Sequence, residues 1–458
     1  MTGRQQGRRD GGTAAGPFVP RRPGARVGAA AGLLAVALGA AACGNGGGSA
    51  SGPTPSAAGH ATTTTFRAAT TTSTATSTTK PVLTAGQQGS RGAVPWSKVG
   101  AGWVLATWST SPAGAAGGSA APATIDLVDP QGGRYDLGRA PTTGVLTDWS
   151  GNARNALFLV PTAPAATGTI SYGAVVVDLR TGATTQFSVG SEVGPDAVQF
   201  TKPDGTAVIL AGPQVRRYGL SGALELSYPT SVPGAPGSTT TGGAFAETPT
   251  GTELGLSAAG GTDVVSNGGT PLRFVGPPPG QQPCTVDGLW QATSVLESCG
   301  SELWAQPLSG ALPDHVATAS TGTTLLDAWL VGTRVVAEAG ACGTTWLETA
   351  DLGRTLSAIS VPDVGTGGSV EPLGAHGSQL GVVLRPGCDR GTAQQQGTTL
   401  GWFDPAANTL TPLLGARANG GTVDAAVLFH GLAADGGTQA GTLPPAGTGA
   451  TGGAAPGT

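Results

Sequence analysis

The sequence predicts an all-β fold, on three observations. A polar corner between two apolar segments recurs seven times. A second pair of β-rich segments precedes each corner, and helical periodicity is almost absent from 94 to 430. The corner is clearest in "VVVDLRTGATTQFSV" (175–189), where Asp178 closes one strand, Thr181-Gly182 turns and Phe187 returns the chain to a core. The others follow Asp129, Tyr218, Ser266, Gln306, Asp351 and Asp404, so successive corners lie 40 to 53 residues apart. Gly, Asn and Asp at such places supply the positive φ of tight hairpin turns. An isolated hairpin does not hold in water, so each must pack against something else.

The upstream segments supply it. "VLTDWSGNARNALFLV" carries Trp149 at the end of its first segment, and "AVQFTKPDGTAVILA" carries Phe200 in the same slot. Phe245, Trp290 and Trp329 continue the series, which Trp96 opens and Leu373 closes. Each unit then holds four short antiparallel strands in about 45 residues, the pattern of a propeller blade. Seven units over 94–430 predict a seven-bladed β-propeller. The recurring aromatics read as packing between neighbouring blades, with ligand stacking as the rarer use. "TVDAAVLF" (422–429) follows the seventh unit and either pairs with the first blade to seal the ring or extends an edge.

Residues 1–42 read as a signal peptide rather than a fold. Arg4, Arg8, Arg9, Arg21, Arg22 and Arg26 form a basic lead to an apolar, Ala-rich stretch from Val27 to Ala42. That stretch is short for a membrane span. Residues 43–93 read as a Ser/Thr/Gly-rich disordered linker, with eleven threonines between 61 and 80, and 431–458 as a disordered tail.

"GAAACG" (39–44) resembles a bacterial lipobox, departing from it at Ala40, where the family has Leu. The resemblance implies cleavage after Ala42 and a lipid on Cys43, which anchors the chain to the outer face of the cytoplasmic membrane. Ordinary cleavage nearby is the alternative. Stable anchoring takes two or more acyl chains. The arginine pairs leave the choice of export route, general secretory or twin-arginine, open.

Removing residues 1–42 takes away six Arg and one Asp and leaves 17 basic and 26 acidic side chains, a net charge of −9. No basic cluster stands out, which argues against nucleic acid as a partner. Three Lys accompany twenty Arg, and with the Ala and Gly excess this reflects the base composition of a high-GC bacterial genome.

"FTKPDGTAVIL" and "DWSGNARNALFL" resemble the WD40-like repeats of TolB-type propellers. The match is good over Phe200-Thr201-Lys202-Pro203-Asp204-Gly205, while the second segment keeps only the Trp-Ser. The resemblance implies an envelope propeller of the protein-interaction kind. TolB carries a further domain ahead of its propeller, where this chain has a Thr-rich tether.

Beyond Cys43 the chain has Cys284, Cys299, Cys342 and Cys388, an even number that points to disulfides in an exported protein. Aligned on the blades, they fall in loops of one face, and the preferred pairing is Cys284–Cys299 and Cys342–Cys388. In the chain-entropy model the first, closing a loop of 15 residues, is worth about 3 kcal/mol. A metal site is the rival reading, but no His stands nearby at ligand spacing. No cofactor motif is present, and the four histidines, His60, His315, His376 and His430, are scattered. There is no G-x-S-x-G elbow. Asp148, Asp287 and Asp327 each precede a Trp by one to three positions. Converging in the channel, they form a weak candidate site for a cation or polar ligand. Otherwise they cap turns and blade edges.

Two functions are therefore expected, in order. The first is a non-catalytic, lipid-anchored binding or scaffold module for envelope proteins or glycans. The second is an envelope hydrolase acting on carbohydrate or peptide at the channel. Three or more converging carboxylates favour the second, and an apolar or amide-rich patch on one face favours the first.

Overall fold

"NALFLVP" and "YGAVVVD" are near-continuous apolar runs, and a strand of that kind is covered on both faces of its sheet. Both are buried along almost their whole length as strands Asn155–Pro161 and Tyr172–Asp178. A sheet covered on both faces needs a neighbour on either side, and seven such sheets satisfy one another by closing a ring. The computed structural model describes residues 80, 82–110, 122–162, 171–190, 198–212, 214–281, 284–321, 323–341, 344–362, 364, 368–385 and 397–430. They form seven sheets, each with four antiparallel strands, the blades of a β-propeller. Cys43, Cys342 and Cys388 lie outside the described residues.

Blades 2, 3, 4, 6 and 7 are four-stranded with their strands in sequence order, and blades 1 and 5 carry a fifth strand. The first strands adjoin one another around the channel between blades 1 and 2, 2 and 3, 4 and 5, 5 and 6, 6 and 7, and 7 and 1. All seven sequence corners are third-to-fourth strand turns. Their aspartates act locally: Asp129 accepts from the N–H groups of Gln131 and Gly133, Asp178 from Arg180 and Thr181, and Asp404 from Ala406 and Ala407.

Blade 1 departs from the sequence reading. Its innermost strand is Thr422–Leu428, paired antiparallel to Val104–Ser109 from Ser109↔Thr422 to Val104↔Leu428. Trp96 therefore belongs to a turn outside the inner ring, where the Arg180 guanidinium lies 5.4 Å from its ring centroid. Phe429 follows the sealing strand, is buried, and meets Trp149 of blade 2 edge-on at 4.8 Å between centroids.

The folded region also begins earlier than residue 94. Gln88–Ser90, inside the segment expected to be linker, pairs in parallel with Arg134–Asp136 at the outer edge of blade 1. Val82 and Leu83 explain the shift, since these apolar residues directly after the Thr-rich run pack onto the blade 1–2 core. The Leu83 N–H also donates to Tyr135 Oη at 3.0 Å. Arg91 Nη1 donates to the Thr181 carbonyl at 3.0 Å and fastens this strap to blade 2.

The core is a ring of layers between sheets rather than one central mass. Buried clusters fill the seams between blades 1 and 2, across 2, 3 and 4, between 4 and 5, 5 and 6, 6 and 7, and 7 and 1. Trp149, Phe200 and Trp290 sit in these layers, consistent with a packing role. Among the described residues no helix is long and apolar enough to cross a membrane.

Phe429→Ala is expected to cost about 3–5 kcal/mol, the range for truncating a buried aromatic side chain. Urea unfolding of wild type and variant measures it. A loss below about 1 kcal/mol would show that this residue is not part of the seal.

Candidate functional site

The C-terminal ends of the first strands of blades 1 to 4 bring an ionisable group to one mouth of the channel. Each blade adds its residue within two positions of the end of that strand. Blade 1 gives His430, directly after Phe429, and blade 2 gives Asp148, next to the strand end at Trp149. Blade 3 gives Lys202 in the turn after Phe200, and blade 4 gives Glu247 at the end of Thr240–Glu247.

These groups are wired from blade to blade. Asp148 Oδ2 accepts the Phe200 N–H at 2.6 Å, and its Oδ1 accepts the Trp149 N–H at 2.8 Å. Glu247 is wholly buried and its Oε2 accepts the Lys202 N–H at 2.8 Å, while its Oε1 has no hydrogen-bond partner. Strand ends leave backbone N–H groups without ladder partners, and buried ones must be satisfied. Carboxylates from the neighbouring sheet do this here. The backbones also approach closely. Gly251 has φ +67°, and a Cβ there would lie 1.8 Å from the Lys202 carbonyl oxygen, so the blade 4 turn requires glycine.

Burial is the first cause of every shifted pKa in this cluster. It raises Asp148 to about 6 against the backbone donors and Lys202, which lower it. It raises Glu247 to about 7, with Asp148 adding to the rise and the Lys202 N–H and charge opposing it. Water reaches His430, yet protein crowds its imidazole. That crowding and, second, the Lys202 charge push it down to about 4, so the ring is neutral at pH 7.

Of the three aspartates singled out in the sequence, Asp148 lies at this mouth and Asp287 and Asp327 stand further back in their strands. Asp148 is one residue before the end of its strand. Asp287 and Asp327 stand three and four residues before the ends of theirs. Asp287 accepts from Ser298 Oγ, and Asp327 Oδ1 accepts the Ala328 N–H at 2.8 Å. Glu247, Lys202 and His430 were not expected as site residues. In the sequence, Lys202 stood out only as part of the Pro-Asp-Gly turn.

Beside this mouth, on the same face, a groove of about 350 Å³ runs between blades 2 and 3. The first turn of blade 2 gives Asn152, Arg154 and Asn155, the fourth strand of blade 2 gives Thr185, and the blade 3 turn gives Thr206. Asp178 lies at its edge and pairs with Arg154 at 2.9 Å.

Far from the mouth, Cys284 and Cys299 are joined by a disulfide. The register Thr285↔Ser298 puts the two cysteines opposite each other. Glu297 lies two residues before Cys299, hence on the same strand face, and a carboxylate oxygen of Glu297 is within 4.8 Å of both sulfurs.

No protein family and no curated protein matches this sequence. Solved structures do resemble the fold. A prolyl endopeptidase, from a study of inter-domain dynamics in catalysis and specificity, is 14% identical, with 64% of this chain and 46% of that chain covered and a TM-score of 0.43. TolB from Acinetobacter baumannii is 13% identical over 55% of this chain and 61% of its own, with a TM-score of 0.35. The β-propeller domain of the Trilobed protease from Pyrococcus furiosus is 9% identical over 70% and 95%, with a TM-score of 0.43. This chain thus spans less than two thirds of the first two. At these TM-scores the likenesses carry no argument about activity. The fold stands on the seven sheets themselves.

The cluster makes stability depend on pH. Asp148 and Glu247 have folded-state pKa values above their ordinary values of 3.8 and 4.5. Between about pH 4 and 7 these two carboxyl groups therefore hold more protons in the folded than in the unfolded chain and lower stability as pH rises, while His430, lowered from 6.5 to about 4, opposes them below about pH 6.5. The slope expected is of order 1 kcal/mol per pH unit. Glu247→Gln, which keeps an acceptor for the Lys202 N–H, should flatten it. Denaturant midpoints from pH 4 to 8 check this. An unchanged slope in the variant would contradict the assignment.

Proposed function

We propose that this chain is a membrane-anchored extracytoplasmic binding module. Its groove between blades 2 and 3 takes a neutral, hydroxyl-rich or amide-rich ligand, a glycan or a polar segment of an envelope protein. The groove carries this reading. Asn155 and Thr185 near strand starts and Asn152 and Thr206 in turns set amide and hydroxyl groups beside Val176, Ala183 and Leu220. Asn152 Oδ1 is held by Ser150 Oγ and the Arg154 N–H, and Arg154 adds a charged donor. Such a lining suits ligands whose own polar groups need one partner each. The carboxylates at the neighbouring mouth, Asp148 and Glu247, are both engaged with backbone N–H groups of blade 3, as structural acceptors. Anchoring through a lipid on Cys43 and a polar tether is part of the same proposal and rests on the sequence.

Capture from envelope membranes with the lipidated protein, and with a Cys43→Ala control, tests the reading. A discrete protein or glycan should be retained by the wild type and less by the control. Arg154→Ala and Thr206→Ala should lower retention at least tenfold while leaving the fold intact. The Arg154–Asp178 pair is a surface pair, of the kind worth under about 1 kcal/mol. Equal retention by both groove variants would contradict a groove ligand.

One observation favours a second reading, an envelope hydrolase for carbohydrate or peptide. Asp148 and Glu247 have pKa values raised to about 6 and about 7 beside a neutral histidine, values suited to acid and base work near neutrality. Cleavage within a panel of envelope polysaccharides and peptides, abolished by Glu247→Gln, would support it.

A further inference from the structure

The loop before the first strand of blade 5 and the end of its second strand bring together three groups that the proposed groove does not use. Cys284 is half-buried, while Cys299 and Glu297 are almost wholly buried. Glu297 Oε1 accepts a hydrogen bond from Thr262 Oγ1 of blade 4 at 2.5 Å, whereas Oε2 is buried with no hydrogen-bond partner. A buried acceptor without a partner is costly and calls for an occupant. One carboxylate oxygen of Glu297 stands within 4.8 Å of both sulfurs.

We infer that the reduced form of this pair is a binding site for a thiophilic divalent cation, Zn²⁺, with Cys284 Sγ, Cys299 Sγ and Glu297 as its three protein ligands. Thiolate sulfur selects such metals over magnesium and calcium. Zn–S bonds of about 2.3 Å and Zn–O bonds of about 2.0–2.2 Å at tetrahedral angles separate the donor atoms by about 3.5–3.8 Å. The Glu297 oxygen already stands within 4.8 Å of both sulfurs, and the sulfurs, bonded to each other as a disulfide, reach that spacing by side-chain rotation once the bond is cut. Strand register does the positioning. Glu297 and Cys299 share a face of one strand, and Cys284 faces Cys299 from the next. The oxidised protein has no free thiol at this place, so the metal site exists only after reduction.

The chemistry balances with a phosphine as reductant. Disulfide, phosphine and water give two thiols and the phosphine oxide. Zn²⁺ then displaces the two thiol protons to form two Zn–S bonds, the Glu297 carboxylate is the third ligand and water the fourth.

The test uses the full chain carrying Cys43→Ala, Cys342→Ser and Cys388→Ser, so that only this pair can respond. The protein is reduced with phosphine under anaerobic conditions. Zn²⁺ is then titrated against a chromophoric chelator, and Co²⁺ is added in parallel for its thiolate charge-transfer absorption. One equivalent of Zn²⁺ should bind the reduced protein and none the oxidised protein. Co²⁺ should show the thiolate band, and Glu297→Gln should keep that band while weakening Zn²⁺ at least tenfold. The inference is overturned if reduced and oxidised proteins bind alike, if no thiolate band appears, or if Glu297→Gln binds as tightly as its parent. A reduced protein that loses its β-sheet circular dichroism and binds nothing overturns it equally.

Discussion

The hydrogen-bonded ladder between Thr422–Leu428 and Val104–Ser109 is the constraint on which the ring depends. It joins residues more than 300 positions apart and gives blade 1 the innermost strand that its own stretch of sequence lacks. Val104, Leu105 and Ala106 are fully buried because that strand covers them. Without it, blade 1 would present an unpaired edge to the channel, and the apolar layer between blades 7 and 1 would lose Val423, Ala426 and Leu428. A side-chain bond reinforces the seam, since Thr107 Oγ1 accepts the Ala425 N–H at 3.0 Å.

Closure creates the electrostatic character of the mouth. Once the first strands are held side by side, their ends bring unpaired N–H groups and short carboxylate side chains into one crowded place. Asp148 and Glu247 satisfy amides of blade 3, and burial raises their pKa values as a result. The same logic recurs elsewhere in the ring. The Ser257 hydroxyl accepts the Val286 N–H across blades 4 and 5, and Arg385, held by Glu371, reaches the Asp424 carbonyl between blades 7 and 1. The seams are thus apolar in their layers and polar at their ends. The groove between blades 2 and 3 opens where the turn residues diverge toward solvent.

The blades were legible because a corner is a local event. Asp129, Asp178 and Asp404 cap turns a few residues long, and Gly182 at φ +81° supplies the conformation that the turn demands. The first strand of blade 1 was not legible, since Trp96 resembles the aromatic slot and only the three-dimensional ring hands that slot to Phe429. The mouth was half legible. Asp148 stood out beside its Trp, but Glu247 in "FAETPT" lay in the shadow of Phe245, and His430 was only one of four scattered histidines, the last residue before the tail. Asp287 and Asp327 looked equivalent to Asp148. All three strands carry a pairing shift beside the aspartate, and what separates them is length: one residue follows Asp148 before its strand ends, three follow Asp287 and four follow Asp327, and periodicity does not encode this. Glu297 was missed as a neighbour of the cysteines, although its spacing of two from Cys299 on a strand is a signal that could have found it.

Native-state hydrogen exchange on the backbone amides of 104–109 and 423–428 tests the closed ring most directly. If the C-terminal strand seals the propeller, the paired amides of both segments exchange only through global unfolding, with one common opening free energy. Exchange of 423–428 through a much smaller opening, while the rest of blade 1 stays protected, would contradict the account and leave the ring without its seal.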